Sequence, residues 1–173
     1  ARNLAEFILK SFPDLKKFKE KEEKCEEMDL FGDVVGYEGE EEDDDQVFIG
    51  FLVNEKREGK GVQVFADGDI YEGQFTNNLL NGMGKYIWAD GDEYEGSWVD
   101  SHRNGHGTMK YPDGVIYRGD WKNGKREGEG KLLLPNGDVY EGGFVNILFH
   151  GRGKHIDLNG EEYEGSWVNG YRN

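Results

Sequence analysis

Cysteine, proline and long apolar runs are all scarce in this chain of 173 residues, and each scarcity limits what the protein can be. The single cysteine, Cys25, excludes an internal disulfide, and a reducing compartment is the simpler environment for such a chain. No apolar run approaches the ~20 residues that a membrane-spanning helix needs. Only 3 prolines accompany 27 glycines, so backbone turns or close contacts must rely on glycine.

Basic residues are also too few to balance the acidic ones. The chain has 21 Lys and Arg against 36 Asp and Glu, which gives a formal net charge of −15. Such a field repels phosphate backbones and anionic lipids, so we expect no nucleic-acid partner, and membrane contact is disfavoured. The acidic excess is concentrated in residues 1–47, which hold 16 acidic and 7 basic residues.

The chain does contain a five-residue motif, aromatic–x–Gly–x–aromatic, that recurs every 23 residues. We number each unit from its first aromatic residue as position 0. These residues are Phe48, Tyr71, Tyr94, Tyr117, Tyr140 and Tyr163. Glycine recurs at positions +2, +11, +13 and +20, which hold 21 of the 27 glycines. The fixed period predicts a repeat array of five full units and a partial sixth.

Each unit also carries Asp-Gly or Asn-Gly at positions +19 and +20, a dipeptide typical of two-residue hairpin turns. The sequence therefore predicts tandem β-hairpins that turn at this dipeptide. Such a turn would place position +16 beside the next position 0. The expected pairs are Val64 with Tyr71, Ile87 with Tyr94, Leu133 with Tyr140 and Ile156 with Tyr163, and Lys110 breaks the pattern beside Tyr117.

Strand alternation assigns the residues of each unit to two faces. Positions 0, +2 and +4 share one face, where the glycine leaves room for the two rings to lean over the backbone. A second face is expected to carry Phe65, Tyr86, Trp88, Met109, Tyr111, Leu132 and Leu134.

The strings YEGQFTNNLLNGMGKY, YEGSWVDSHRNGHGTM, YRGDWKNGKREGEGKL and YEGGFVNILFHGRGKH resemble the MORN repeat, whose pattern is Y-x-G-x-W followed by spaced G-x-G. The resemblance covers residues 48–173, and the first unit departs from it with Phe48 and Leu52. It implies an elongated, twisted, single-layer antiparallel sheet of hairpins with an aromatic concave groove. It further implies a non-enzymatic module, of the kind found in ciliary and cytoskeletal scaffolds, in membrane-junction proteins, or attached to lipid kinases and protein methyltransferases.

The residues before the array divide into two parts. Residues 1–30 are predicted to be an amphipathic helical segment, with Leu4, Phe7 and Ile8 on one helical face. Residues 31–47 are predicted to be an acidic linker, and residues 48–173 are the array. Two interpretations of the apolar stripe stay open: it covers the open end of the array, or it docks on another chain.

No catalytic, metal or cofactor site is predicted. His102 and His106 are four residues apart, but in a Gly-rich connection rather than on a helix. The acidic pairs Asp67/Asp69 and Asp90/Asp92 lack the later Glu of a calcium loop and are explained by turn chemistry. Acidic neighbours would raise the pKa of the Cys25 thiol, so a nucleophilic role is not expected.

The predicted function is a scaffold that binds a partner protein segment through the aromatic face, inside the cell in a cytoplasmic, cytoskeletal or ciliary setting. The predicted contact residues, which must also pack the array, are Tyr71, Phe75, Tyr94, Trp98, Tyr117, Trp121, Tyr140 and Phe144. Three alternatives stay open. These are a phosphoinositide-binding module that uses Lys85, Lys131 and Lys154, the regulatory array of a longer enzyme, and an organellar location after removal of a targeting segment.

Overall fold

A computed structural model describes residues 35–36 and 46–173, which form strands, turns and loops without a helix. There are thirteen strands, β1 to β13 in chain order: Val35–Gly36, Val47–Val53, Lys56–Val64, Ile70–Thr76, Leu79–Ile87, Glu93–Val99, His102–Lys110, Ile116–Lys122, Lys125–Leu133, Val139–Val145, Leu148–Ile156, Glu162–Val168 and Tyr171–Arg172. Each strand pairs antiparallel with its neighbours in the chain, so they form one open sheet, with twelve strands between residues 47 and 173. The predicted single sheet of tandem hairpins is confirmed.

The N-terminal predictions mostly concern residues that the structure does not describe. The helical segment over residues 1–30 lies outside the described residues. Strand β1 pairs with β2 at Phe51 and Leu52, and it lies within the range 31–47 that the sequence indicates as a linker.

Two-residue turns at positions +6 and +7 close the hairpin within each unit. Both turn residues have positive φ, the signature of a type I′ turn that matches the twist of the flanking strands. The turns are Asn54-Glu55, Asn77-Asn78, Asp100-Ser101, Asn123-Gly124, Asn146-Ile147 and Asn169-Gly170. Asn or Asp stands first in every one of them, because these side chains tolerate the left-handed conformation better than other non-glycine residues do.

The Asp-Gly dipeptides lie in a longer connection, between one unit and the next. After β3, the Gly68 N–H donates to the Phe65 carbonyl at 3.0 Å, and the Phe65 N–H donates to the Asp69 carbonyl at 2.9 Å. Within this connection only Gly68 has positive φ, at 93°. The connection is therefore a five-residue loop with one left-handed glycine, and the predicted two-residue turn at Asp-Gly is wrong.

The longer loop shifts the strand register by one residue from the predicted one. Tyr71 lies opposite Gln63, and Tyr94 lies opposite Tyr86, rather than opposite Val64 and Ile87. The same shift replaces the other predicted pairs: Met109 with Tyr117, Leu132 with Tyr140 and His155 with Tyr163.

The shift also corrects the predicted second aromatic face, because a one-residue slip moves every side chain to the other side of the sheet. The core cluster contains the tyrosines of position 0 from Tyr71 to Tyr140 together with Met109 and Leu132. Packed against that cluster are Phe65, Tyr86, Trp88, Tyr111 and Leu134. We call this side of the sheet the ring face and the other side the back face.

The back face of the later units is largely charged, and its charges are paired across strands. Lysines at position +14 reach glutamates on the following strand. These ion pairs are Lys85–Glu93 at 3.3 Å, Lys131–Glu141 at 3.1 Å and Lys154–Glu162 at 2.7 Å. The apolar surface that holds the array together is therefore mainly on the ring face.

Candidate functional site

A continuous series of edge-to-face aromatic contacts runs along the ring face. Successive ring centroids lie 5.0–5.6 Å apart, and their planes cross at 82–89°. This arrangement places the positive edge of one ring against the negative face of the next. We call the series the ring ladder; in order of contact it consists of Phe48, Phe75, Tyr71, Trp98, Tyr94, Trp121, Tyr117, Phe144, Tyr140, Trp167 and Tyr163.

The glycines at positions +2 and +13 make space for the ladder. They lie opposite each other on neighbouring strands, as Gly96 and Gly107 do. A Cβ atom on Gly96 would lie 2.5 Å from the Gly107 Cα atom and 2.6 Å from the hydroxyl oxygen of Tyr94. The tyrosine ring therefore lies over a strip of bare backbone, as the sequence predicts.

The polar ends of the ladder rings are satisfied by backbone carbonyls. Each tyrosine hydroxyl donates to the carbonyl three residues later, as Tyr94 does to Ser97 at 3.1 Å and Tyr117 to Asp120 at 2.9 Å. The Trp121 indole N–H donates to the Gly107 carbonyl at 3.2 Å. The tyrosine and tryptophan rings of the ladder therefore pack together without losing the hydrogen bonds of their polar atoms.

Burial also changes the acidity of the ladder tyrosines, because it disfavours the charged phenolate. Burial raises the pKa of Tyr94 and of Tyr140 to about 12. It raises the pKa of Tyr71 and of Tyr117 beyond the usual range of the side chain.

All eight residues predicted to contact a partner belong to the ring ladder, and all eight are buried. Their exposed fractions range from 0% for Tyr71, Tyr94 and Tyr117 to 4% for Trp98 and Trp121. The structure thus brings them together as the core of the array. Direct contact between these eight and a partner stays a prediction.

A second row of ring-face residues is partly exposed. Tyr86 and Trp88 lie with their ring centroids 4.4 Å apart, and Tyr86 stacks on Phe65 at 5.7 Å. The Tyr86 hydroxyl donates to the buried Asp69 carboxylate at 2.7 Å, which fixes the ring at the surface. We call this set the accessible row; it consists of Phe65, Tyr86, Trp88, Tyr111, Val115 and Leu134.

A third set of ring-face residues lies at position +9 and was not predicted from the sequence. The residues there are Arg57, Leu80, Arg103, Arg126, Phe149 and Arg172. Position +9 lies directly across the two-residue turn from position +4, as Arg103 lies opposite Trp98. The signal was present in the sequence, because arginine recurs at this position in four of the six units.

Arg103 shows how these arginines are held. Its guanidinium carbon lies 4.5 Å from the Trp121 ring centroid and 5.5 Å from the Trp88 ring centroid. A guanidinium N–H donates a 2.9 Å hydrogen bond to the Gly124 carbonyl. Burial lowers the pKa of Arg103 from its ordinary value. The residue joins the accessible row to the ladder by cation–π contacts.

The histidines lie elsewhere than predicted. Both His102 and His106 are exposed on strand β7, not in a connection, and His106 Nδ1 lies 3.3 Å from a carboxylate oxygen of Asp120. Among residues 35–36 and 46–173, no cluster of three or more His, Cys, Asp or Glu side chains is arranged to hold a metal ion. The same part of the chain contains no helix long and apolar enough to span a membrane.

Two of the solved structures that are similar to this chain are distant from it in sequence. One is the TCP domain of Drosophila melanogaster SAS-4 (dCPAP) in complex with a proline-rich motif of Ana2 (dSTIL), with 11% identity, a TM-score of 0.43, and coverage of 80% of this chain and 88% of that chain. Another is virginiamycin B lyase from Staphylococcus aureus, with 15% identity, a TM-score of 0.23, and coverage of 72% and 46%. At these scores the likenesses carry no functional argument. Among curated proteins, none matches this sequence.

The family comparison is specific by contrast. The model of the MORN repeat matches residues 48–70, 71–93, 94–116, 117–139, 140–161 and 163–173, in the same register as the period of 23. These ranges include every residue of the ring ladder. The chain belongs to the MORN repeat family.

Proposed function

We propose that the protein is a non-enzymatic scaffold whose ring face binds a segment of a partner protein, within a larger cytoskeletal, ciliary or membrane-junction assembly. The observation that carries the proposal is the accessible row, a line of partly exposed and mainly aromatic side chains that lies over the ring ladder. Aromatic and arginine side chains with fixed conformations are typical binding hot spots, because little conformational entropy remains to be lost on association.

The division between ladder and accessible row changes which residues we expect a partner to touch. Ladder rings such as Tyr94 and Trp98 are covered by their neighbours, so a partner would meet Trp88, Tyr111 and the arginines of position +9 first. The ladder then acts indirectly, by keeping the accessible row in one conformation. MORN repeats are accordingly suited to protein interaction, and we place the interaction surface at the accessible row and the arginines of position +9.

The back face is a weaker candidate for a lipid surface than its lysines suggest. Lys85, Lys131 and Lys154 recur at position +14, but each lies within 3.3 Å of a glutamate carboxylate. The hydrogen bond that Lys154 donates to the Glu162 carboxylate raises the pKa of this lysine, so that it stays charged and paired. Lysines paired in this way offer little net positive charge to phosphoinositide head groups.

We expect the double substitution Trp88→Ala/Tyr111→Ala to weaken partner capture at least ~30-fold, since each hot-spot aromatic contributes on the order of 2 kcal/mol. The measurement is a pull-down from a lysate with quantitative mass spectrometry, in which every variant is first shown to keep its melting temperature. The matched control is Glu72→Lys/Glu95→Lys on the back face. It should alter salt dependence and association rate more than affinity.

The opposite pattern would overturn the proposal. If folded Trp88→Ala/Tyr111→Ala protein captures the same partners as the parent while the charge reversals abolish capture, the back face is the recognition surface.

A further inference from the structure

The back face of the first unit differs in chemistry from the back face of every later unit. Positions +1 and +14 face each other across neighbouring strands and hold charged or polar pairs in the later units. These are Glu72 with Lys85, Glu95 with Thr108, Arg118 with Lys131 and Glu141 with Lys154. In the first unit the same two positions hold Ile49 and Val62. Together with neighbours on the same face, they form an apolar cluster that we call the first-unit patch: Val47, Ile49, Val62, Val64 and Ile70.

Two residues of the first-unit patch are buried, although the patch lies on one face of a single sheet. Val62 is 1% exposed and Val64 is 5% exposed. Leu133 occupies the position equivalent to Val64 three units later, and it is 38% exposed.

Neighbours within the sheet do not account for this difference. Val64 lies between Val47 and Ile70 on the adjoining strands, and Leu133 lies between the equivalent residues Ile116 and Val139. Both side chains therefore have two apolar neighbours in the same layer, yet only Val64 is shielded. A second layer of side chains above the first-unit patch would account for this difference in exposure.

We propose that residues 1–34 of the same chain supply that layer, with Leu4, Phe7 and Ile8 packed on the first-unit patch. The chain joins the sheet at Val35, whose strand pairs with β2, the strand that carries Val47 and Ile49. More than 25 residues separate Ile8 from Val35, and at ~3.3 Å per extended residue this length reaches the patch many times over. Leu4, Phe7 and Ile8 form an apolar stripe in this segment. Packing the stripe on the first-unit patch would remove both apolar surfaces from water.

This docking selects between the two interpretations of the N-terminal stripe and adds a location. The stripe covers the back face of the first unit, and the paired charges of the later units confine it there, because burying them would leave ions without water. The ring face stays open to a partner. The inference does not depend on the proposed function, since it concerns the opposite side of the sheet.

The test is methyl NMR of the chain of residues 1–173, with labelled Val, Leu and Ile methyl groups and labelled Phe rings. We expect nuclear Overhauser contacts from the Val62 and Val64 methyls to the Phe7 ring, and none from the matched Leu133 methyls. A sample that mixes labelled and unlabelled chains distinguishes contacts within one chain from contacts between two copies.

A paired substitution provides a second measurement. Ile49→Glu/Val62→Lys gives the first unit the charged pair that the second unit has as Glu72 and Lys85, so the sheet itself should fold. We expect amide hydrogen exchange over residues 3–12 to become at least 10-fold faster, while exchange in strands β6 to β9 is unchanged. The inference is overturned if the Val62 methyls touch only a second copy, if they touch no residue of 1–34, or if exchange over 3–12 does not respond.

Discussion

Gly96→Val should destabilise the array by about 3 kcal/mol or more, at the upper end of overpacking in a protein core. The added Cβ alone would lie 2.5 Å from Gly107 Cα and 2.6 Å from both the His106 carbonyl oxygen and the Tyr94 hydroxyl. Two of these three atoms are backbone of the neighbouring strand, so a rotamer change cannot relieve the contact. Strands β6 and β7 would have to separate, and the backbone hydrogen bonds between them would be lost. Urea denaturation measures the free energy of unfolding.

The control is Glu95→Val, one residue earlier on the same strand. It introduces the same β-branched side chain, but on the back face, where Glu95 is exposed. Its effect should stay within about 0.5 kcal/mol. Equal destabilisation by both substitutions would show that the ring face is not closed over bare backbone at position +2.

Trp121→Ala should cost about 3–5 kcal/mol, the range for removing a large buried ring. Trp121 is 4% exposed, and its ring contacts those of Tyr94 at 5.3 Å and Tyr117 at 5.2 Å, so its removal interrupts the ladder between two units. The substitution also takes away the ring below the Arg103 guanidinium, at 4.5 Å, and the hydrogen bond to the Gly107 carbonyl. Denaturation monitored by circular dichroism gives the change.

Trp121→Phe separates the ring from its N–H group. Phe144 occupies the same position in the next unit and Phe75 occupies it two units earlier, so a benzene ring fits there. We expect a loss of about 1 kcal/mol, mainly from the Gly107 carbonyl that then lacks its donor. A Trp121→Phe variant as unstable as Trp121→Ala would mean that the indole hydrogen bond, rather than the ring contacts, holds this part of the ladder.

The architecture could be predicted from the sequence, but the register of its strands could not. The period of 23 and the glycines of positions +2 and +13 were sufficient to predict a single sheet of hairpins with rings leaning over bare backbone. The turns were misassigned because Asp-Gly is a familiar hairpin signal. Asn or Asp at position +6 is a weaker hairpin signal, because the turn residue that follows it varies and ranges from Glu55 to Ile147. One left-handed residue, as at Gly68, closes the longer loop, whereas the type I′ turns have two left-handed residues, as at Asn77 and Asn78.

The prediction of the candidate site depended on the strand register. With the predicted turn, Tyr86 and Trp88 were expected on the far side of the sheet, so the sequence indicated the tyrosines of position 0 as the contact surface. The structure places both rows on one face, and the outer row covers the inner one. No periodicity could rank the two rows by exposure, because burial in a single layer depends on how far each ring leans across the strands.

The tyrosines of position 0 from Tyr71 to Tyr140 form a buried ladder, and we propose that a partner contacts the accessible row instead. Their raised pKa values provide the most direct measurement. The ordinary tyrosine pKa is 10.0, and in the folded array the pKa of Tyr94 and of Tyr140 is about 12. Because the folded-state pKa is the higher one, the contribution to stability is complete below pH 10 and is lost as the pH rises toward and through the folded-state pKa.

The measurement is a spectrophotometric titration of phenolate absorbance, with circular dichroism recorded on the same samples. The pKa values of Tyr71, Tyr86 and Tyr117 are also raised, which makes five of the nine tyrosines with those of Tyr94 and Tyr140. These five should remain protonated at about pH 11 while the strand signal persists. We expect these five to ionise only as the strand signal disappears. Full ionisation of all nine tyrosines by about pH 11 with the strand signal intact would contradict a buried ladder.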